Sequence, residues 1–296
     1  MADGTTITSG LLGAAQVGGG PTSEQLRLVQ SLAHGYFGLD VDVATLAPLT
    51  ATEFAQRVDA DDHRRIVDLL LVVEFCRHAD EVEQAARIEE YVQALGVDDP
   101  FVVVARDALT EGHERVMTDW ARFREAPVVE PGLPGSDAEL ARTLRALEKC
   151  APGTLGRTYF DFLDSHGIPF PGEPGGGDAS LVTHDFSHVI AGYGADGPDE
   201  LALQAMLVSA TGFEHHFSGL VASLALYESG KFEILDIVTK VGALDRAGAT
   251  DRLAEAFRRG AACTVDFSAI DHLARADHPL ETVRADCGVP PLTHSG

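Results

Sequence analysis

The sequence predicts an all-α protein made of two helical domains. Apolar residues recur at the three- and four-residue spacing of helices through most of the chain, and no turn-bounded alternation of period two is present. A stretch rich in proline and glycine near the middle of the chain separates two such regions, as a linker does. The predicted organisation is a flexible tail at 1–22, an N-terminal helical domain at 23–125, a linker at 126–136 and a C-terminal domain with a metal site at 137–292.

Local signals define the elements of the N-terminal part. Residues 1–22 are rich in Gly, Thr and Ala, which is typical of a loose tail. Thr50 and Glu53 are spaced as a capping box, which predicts that a helix starts there. Ile66–Val73 is almost entirely apolar and predicts a buried central helix, and Gly96 is placed to end the helix that follows it.

The charge and the cysteines of the chain exclude several classes of function. The chain of 296 residues has 22 Lys and Arg against 46 Asp and Glu, a net charge of -24 that is spread over both halves. Nucleic acids and anionic membranes bind clustered Lys and Arg, so neither is an expected partner. The four cysteines are far apart and form no CxxC pair, which argues against a disulfide framework and a thiolate zinc site. Without a signal peptide or an apolar run of about 18 residues, the expected location is cytoplasmic.

The segment THDFSHVIAGYGADGPDELALQA at 183–205 contains the main candidate site. His184 and His188 are four residues apart, so both imidazoles project from one face of a helix. Asp185 lies beside the first histidine, either as a third ligand or as an outer acceptor. Glu200 follows after eleven residues, through a turn with three glycines and Pro198 that lets it fold back towards the histidines. Imidazoles and carboxylates together suit a divalent metal, zinc first.

Two other classes of histidine site resemble this segment less well. In the HExxH helix of metalloproteases a glutamate between the histidines is the general base. Here Asp185 holds that position, so protease chemistry is not expected. A phosphohydrolase of the HD type needs a further upstream His and a downstream Asp, and the nearby upstream candidate is His166. A helix whose polar face happens to carry both histidines is the alternative without a metal.

Other residues are candidates for binding a substrate. Arg157 suits bidentate binding of an anionic group, with a structural salt bridge as the alternative. Tyr193 is placed to line a pocket, with packing as the alternative. His215 is placed either to reach the metal region or a substrate carboxylate, or to lie on the surface. The apolar segments Leu201–Ala210 and Phe217–Tyr227 are candidates for an isoprenoid groove, with the core or a homodimer interface as the alternatives.

Further segments accompany the HDxxH motif and Glu200. They are GTLGRTY at Gly153–Tyr159, then FDFLDSHGIPFP, then AFRRG at Ala256–Gly260, PLETVR at Pro279–Arg284 and a GVPP ending. With these segments, the chain from about residue 137 to 292 is similar to the family numbered four in the Coq series of ubiquinone biosynthesis. HDxxH followed by eleven residues and Glu is that family's signature.

This resemblance implies an all-helical fold that binds zinc through His184, Asp185, His188 and Glu200. It also implies an enzyme that acts on polyprenylated benzoate intermediates by oxidative decarboxylation and hydroxylation at C1. Members associate peripherally with membranes and help to organise a biosynthetic complex, so peripheral membrane contact through apolar helices is an expectation here. Zinc has no redox chemistry, so any oxidation would need dioxygen or another electron acceptor.

The expected function is therefore a zinc-dependent enzyme that acts on a small hydrophobic aromatic or isoprenoid substrate, and a homodimer is expected. The alternative is a scaffold that binds a quinone precursor for partner enzymes and uses zinc as a structural ligand. The sequence departs from the family in its preceding helical domain, in the Gly- and Pro-rich stretch at 169–180, which predicts a long surface loop, and in the polar run Glu214–His216. These departures keep open a role in tailoring another aromatic natural product.

In the first half of the chain, the segment Asp61–Val97 has a weaker resemblance to another known family. This run contains the apolar helix, an acidic turn with His78, Asp80 and Glu83, and a second helix that closes at Leu95–Gly96. It resembles the small tellurite-resistance-B-like helical domains. That group often has a glycine after the aspartate of the turn, where this chain has Glu81, so the turn is expected to be solvated and not to bind a metal.

Overall fold

The computed structural model describes residues 3–78, 82–97, 137–177, 179–211, 213–230 and 241–293. Within these ranges the chain is all-α, as the sequence predicts, and no β-strand occurs. Two π-helical turns, Leu32–Tyr36 and Leu224–Glu228, continue the second and tenth helices. In chain order the α-helices of these ranges are α1 Gly4–Ala14, α2 Ser23–Ser31, α3 Ala51–Ala55, α4 His63–Cys76, α5 Val82–Leu95, α6 Ala138–Ala146, α7 Leu155–His166, α8 Ser180–Ala191, α9 Gly197–Thr211, α10 Phe213–Ser223, α11 Ala249–Ala262 and α12 Leu280–Cys287.

The local signals of the N-terminal part are confirmed. Thr50 and Glu53 form the capping box of α3: the Glu53 N–H donates to the Thr50 hydroxyl (3.3 Å) and the Thr50 N–H donates to the Glu53 carboxylate (3.0 Å). Ile66–Val73 lies within α4, and all of its side chains are buried. Gly96 follows α5 with a φ of +68°, a conformation that glycine adopts without strain.

The prediction of a loose tail at 1–22 is wrong for half of this segment. Residues Gly4–Ala14 form α1, in which Ile7 and Leu11 are fully buried. The glycines of this helix allow close packing and do not make the segment flexible. A Cβ atom at Gly10, for example, would overlap the ring of Phe54. Composition suggests a tail because it averages over the segment. In the structure all residues of Ile7–Ala14 are buried, so this part of the helix is packed on every side.

Helices from both halves of the chain contribute to one cluster of buried apolar side chains. At its centre α9 packs along α11, and α11 in turn contacts α2 and the π turn that follows α2. These approaches are close because glycines lie at the contacts: a Cβ at Gly35 would overlap the Ala254 backbone, and one at Gly260 would overlap the Met206 carbonyl. The N-terminal residues of α2 and its π turn therefore pack directly against α11, the partner of α9.

Several expectations concern parts of the chain that the structure describes only in part. The described residues do not include the linker at 126–136, the residues from 98 to 125, or Asp80 and Glu81. The division into two domains therefore stays a prediction. Leu201–Val208 is described, and its apolar side chains are buried in the core. This is the alternative to an isoprenoid groove. No helix in the described part of the chain is both long and apolar enough to cross a membrane.

Candidate metal centre

Two successive helices supply the candidate ligands. His184 and His188 lie on α8, which ends at Gly192 in the left-handed conformation (φ +82°). The N–H groups of Gly192 and Tyr193 then donate to the His188 carbonyl, at 2.8 and 3.2 Å, and turn the chain away from the helix axis. The next helix, α9, begins at Gly197, so Glu200 lies in its first turn. The reversal between α8 and α9 returns Glu200 to the two histidines, as the spacing predicts.

The three ligand atoms form a compact triangle. The Nε2 atoms of His184 and His188 are 3.1 Å apart, and the Oε2 atom of Glu200 is 3.5 Å from the first and 3.4 Å from the second. A tetrahedral zinc ion with bonds of about 2.0–2.2 Å holds its ligand atoms about 3.3–3.6 Å apart. The side chains of His184, His188 and Glu200 therefore already have the separation that a zinc ion requires. Among the described residues no other group of His, Cys, Asp and Glu ligand atoms converges in this way.

The three side chains differ in exposure, so solvent reaches the centre more easily from one side than from the others. The side chain of His188 is 2% exposed and that of Glu200 is 11% exposed, whereas that of His184 is 29% exposed. A ligand from solvent would thus reach the metal position from the side of His184. Catalytic zinc sites have three protein ligands and one open position, whereas structural sites are closed by four. The described donor set corresponds to the first class.

The protonation of the centre reflects its burial and its partners. Burial by itself would raise the pKa of Glu200, but the hydrogen bonds of His184 and His188 hold that pKa well below its usual range. Burial acts to lower the pKa of His184, yet the hydrogen bond and negative charge of Glu200, with the charge of Asp185, raise it overall. In the metal-free protein the Glu200 carboxylate therefore favours its ionised form, and His184 favours its protonated form. A divalent cation would take the place of that proton.

Asp185 does not join the group of converging ligand atoms. Adjacent residues of a helix point about 100° apart, so its side chain leaves α8 in a different direction from that of His184. Burial raises the pKa of the Asp185 carboxyl to about 6, although the positive charges of His184 and His188 oppose the rise. The structure thus places Asp185 beside the centre, and of the two roles left open by the sequence the outer one fits this geometry.

Aromatic rings surround the histidine helix. Phe162 of α7 stacks on the His188 imidazole, with ring centroids 5.5 Å apart and planes 20° apart. On another side of α8, Phe186 stacks on Tyr159 at 3.9 Å and on His272 at 5.0 Å. The Tyr159 hydroxyl is buried without a hydrogen-bond partner among the described residues. These stacks fix the rotation of α8 about its axis, and Phe162 also fixes the plane of one ligand ring.

Two arginines hold the C-terminal end of the histidine helix. Arg284 of α12 donates from Nε to the Ile190 carbonyl and from Nη2 to the Val189 carbonyl, both at 2.9 Å. Arg259 of α11 donates from Nη2 to the Ala191 carbonyl at 2.7 Å. These carbonyls are among the four that a helix end leaves without intrahelical donors, and cations at this end also complement the helix dipole. The end of α8 is therefore anchored to two other helices.

Two of the three residues expected to bind a substrate, Arg157 and Tyr193, have other surroundings. Arg157 is paired with Asp161 (Nη2 to Oδ1, 2.9 Å) and donates to the Glu148 carbonyl (2.9 Å), which is the salt-bridge alternative. Tyr193 is 3% exposed, and the Arg259 guanidinium lies over its ring at 5.1 Å, which is the packing alternative. His215 lies in α10, but its side chain is outside the described part of the structure.

The histidine expected of an HD-type phosphohydrolase is also placed elsewhere. His166 is exposed at the end of α7, with its Nδ1 atom 2.7 Å from the Phe162 carbonyl. Its ring contacts Phe162 and does not belong to the converging ligand group of the described residues.

Sequence reasoning missed Phe162 and Tyr227 as neighbours of the centre. Tyr227 lies in the π turn after α10: the Cβ position of a side chain at Gly197 would be 3.3 Å from the Tyr227 Cβ, and Gly197 is one turn before Glu200 on α9. Burial, with the negative charge of Glu200, raises the pKa of Tyr227. The sequence signal for Phe162 was its position in α7, three residues after Tyr159. The contact with Tyr227 had no local signal.

No protein-family model matches this chain, and no curated protein matches it. Among solved structures, one that matches is a provisional ubiquinone biosynthesis protein from Nostoc punctiforme. The two chains are 15% identical with a TM-score of 0.37, and the match covers 78% of this chain and 99% of that one. An identity and a TM-score this low carry no argument about the activity or the site of this chain.

Proposed function

We propose that this protein is a zinc-dependent enzyme that acts on a hydrophobic aromatic compound, either a quinone precursor or a related natural-product intermediate. The observation that carries this proposal is the triangle of His184 Nε2, His188 Nε2 and Glu200 Oε2, with edges of 3.1–3.5 Å. Two imidazoles and one glutamate are the donor set of several catalytic zinc sites. The signature that these residues form, HDxxH followed by eleven residues and Glu, supports membership in the Coq-four family.

The proposed reaction is an oxidative decarboxylation, a hydroxylation or another tailoring step on an aromatic ring. When bound, zinc would supply a Lewis acid that holds a phenolate or carboxylate oxygen and stabilises negative charge on it. Oxidation would need dioxygen or another electron acceptor as co-reactant, because zinc does not change its oxidation state.

The side chains around the centre have distinct proposed tasks. His184, His188 and Glu200 hold the metal, and the partly exposed side of His184 admits the substrate. Phe162, stacked on His188, offers an apolar face to an aromatic ring. Asp185 is a carboxyl beside the ligands and outside their triangle, so it is free to accept or donate a proton at the substrate.

A scaffold with a structural zinc is the competing proposal. It predicts a closed site with four protein ligands, because structural zinc sites admit neither water nor substrate. The three converging side chains and the exposed fraction of His184 favour the enzyme over the scaffold.

The two proposals separate in one set of measurements. We would measure zinc content by elemental analysis in the wild type and in His188→Ala, with His166→Ala as the matched control. Turnover would be followed with an aromatic carboxylic acid that carries a long apolar tail, under air and with an added electron acceptor. We expect His188→Ala to lose both zinc and turnover, and His166→Ala to keep both, because His166 lies outside the ligand group.

Each other outcome has a definite meaning. Full zinc content in His188→Ala would contradict the assignment of this residue as a ligand. A wild type that binds zinc and the tailed acid, but turns over neither this acid nor its decarboxylated analogue, would favour the scaffold.

A further inference from the structure

We propose that His78, from the N-terminal half of the chain, is a positioning residue for the metal ligand Glu200, and that it acts through the buried carboxylate of Glu228. This inference rests on the metal centre of the proposed function. It gives the helices that precede the C-terminal half a role at the centre itself, which the motif residues do not assign to them.

The first link is a contact between two residues that are 150 positions apart. His78 follows the end of α4, and its Nε2 atom is 2.5 Å from Oε1 of Glu228. The backbone N–H of His78 donates to the Glu24 carboxylate at 3.0 Å, so the loop that carries the imidazole is held from α2. The Glu228 side chain is fully buried, whereas that of His78 is 27% exposed. A carboxyl group buried in this way needs such a partner.

The second link is the position of Glu228 between two turns. It is the last residue of the π turn Leu224–Glu228, and its Oε2 atom accepts the Leu244 N–H at 2.6 Å. Its backbone carbonyl also accepts the Gly242 N–H at 3.0 Å. Glu228 therefore joins the π turn to the short helical turn Ala243–Asp245, and His78 occupies the remaining oxygen of the same carboxylate.

The third link is the contact of both turns with the start of α9. A Cβ at Gly197 would lie 3.2 Å from the Ala243 Cβ and 3.3 Å from the Tyr227 Cβ, so one residue of each turn packs closely against the same side of Gly197. Glu200 is three residues further along α9 and lies on the same face. Side chains of a helix lean towards its N-terminus, so the Glu200 side chain leans towards this contact.

A displacement of the two turns therefore changes the position of Glu200 relative to the histidines. Loss of the His78 imidazole would leave the buried Glu228 carboxylate with the Leu244 N–H as its one described donor. Such a carboxylate gains by moving towards water, and the turns on either side of it would move with it. The histidines of α8 are anchored separately, by Arg259 and Arg284, so the triangle would widen at Glu200.

The test compares zinc affinity in the full-length wild type, His78→Leu, His78→Gln and Tyr91→Phe. Each dissociation constant would be measured by competition with a chromogenic chelator, and thermal unfolding of the metal-free proteins would be recorded beside it. We expect His78→Leu to bind zinc about 10- to 100-fold more weakly, as loss of outer partners of metal ligands does. His78→Gln keeps an N–H donor at the reach of Nε2 and should restore most of that affinity.

Tyr91→Phe separates positioning from general stability. Tyr91 is 1% exposed in the same half of the chain, and its hydroxyl donates to the Leu49 carbonyl, outside the three links above. Loss of this hydroxyl should lower the unfolding temperature and leave zinc affinity unchanged. A second variant, Gly197→Ala, inserts a methyl group between Ala243 and Tyr227 and should weaken zinc binding even though alanine favours a helix.

The outcomes that overturn the inference differ from those that overturn the metal centre. Wild-type affinity in His78→Leu, or in Gly197→Ala if the first variant does not fold, would contradict the positioning role while the centre stands. Equal weakening by Tyr91→Phe would show that the effect is general instability. A wild-type protein that binds no zinc would contradict the centre itself, and the positioning role with it.

Discussion

The Nε2 atoms of His184 and His188 face each other at 3.1 Å, and both face a single oxygen of Glu200. Two imidazole nitrogens at this distance need a proton or a cation between them, because their lone pairs otherwise repel. The surrounding structure holds them there: Phe162 stacks on one ring, and Arg284 binds the carbonyls of the helix end. The convergence is thus a product of packing on several sides of α8.

Zinc affinity should increase with pH. In the metal-free protein the pKa of His184 is raised, mainly by Glu200 against the opposing effect of burial, so this imidazole holds a proton that the metal must displace. One displaced proton makes affinity rise about tenfold per pH unit below that pKa and level off above it. Chelator competition between about pH 5 and 8 would measure this dependence. An affinity that is constant over this range would contradict the exchange of proton for metal.

The stability of the metal-free protein should have the opposite trend at high pH. A raised pKa of His184 stabilises the fold below its unfolded value of 6.5, and this contribution is lost as pH rises through the folded pKa. A lowered pKa of Glu200 stabilises the fold above its unfolded value of 4.5, and this contribution is lost as pH falls through the folded pKa. The pair therefore contributes most between pH 4.5 and 6.5.

The control for this window is Glu200→Gln. The difference in unfolding free energy between the wild type and this variant should be largest inside the window and should shrink at higher pH, as chemical denaturation at a series of pH values would show. A difference that grows steadily towards alkaline pH would contradict the ion pair.

Asp185→Asn should separate metal binding from turnover. Asp185 lies outside the converging ligand group, so the variant should keep its zinc, while loss of a proton carrier lowers turnover by about 100- to 10,000-fold. Elemental analysis and the turnover assay with the tailed aromatic acid would measure the two effects. Asp161→Asn, which removes an exposed carboxylate from the neighbouring helix, is the control. Loss of zinc from Asp185→Asn would make this residue a ligand after all.

Leu11→Ala should destabilise the whole protein. Leu11 is fully buried in α1, and truncation of such a leucine costs about 2–5 kcal/mol of unfolding free energy. Val82→Ala is the matched control, because Val82 is 75% exposed and surface substitutions change stability by about 0.5 kcal/mol or less. Urea unfolding would measure both variants. Equal stability of the two would mean that residues Gly4–Ala14 behave as the tail that their composition suggests.

Much of the fold is readable from the sequence because its signals are local. The capping box of Thr50 and Glu53 and the glycine end at Gly96 depend on a few neighbouring residues, and the structure contains each of them. Helix α1 was missed because its few large apolar residues stand among Gly and Thr. Its stability comes from contacts with distant partners, such as Phe54 against Gly10, which no local pattern records.

In the candidate site, too, some features follow from local sequence and others depend on tertiary contacts. The i, i+4 spacing of His184 and His188, the left-handed end at Gly192 and the early position of Glu200 in the next helix are local, so the sequence alone was sufficient to bring these three residues together. The orientation of their side chains depends on residues from distant parts of the chain. These residues, which lie far from the motif in sequence, are Phe162, Arg284 and the pair His78 and Glu228. Only tertiary packing places them next to the site.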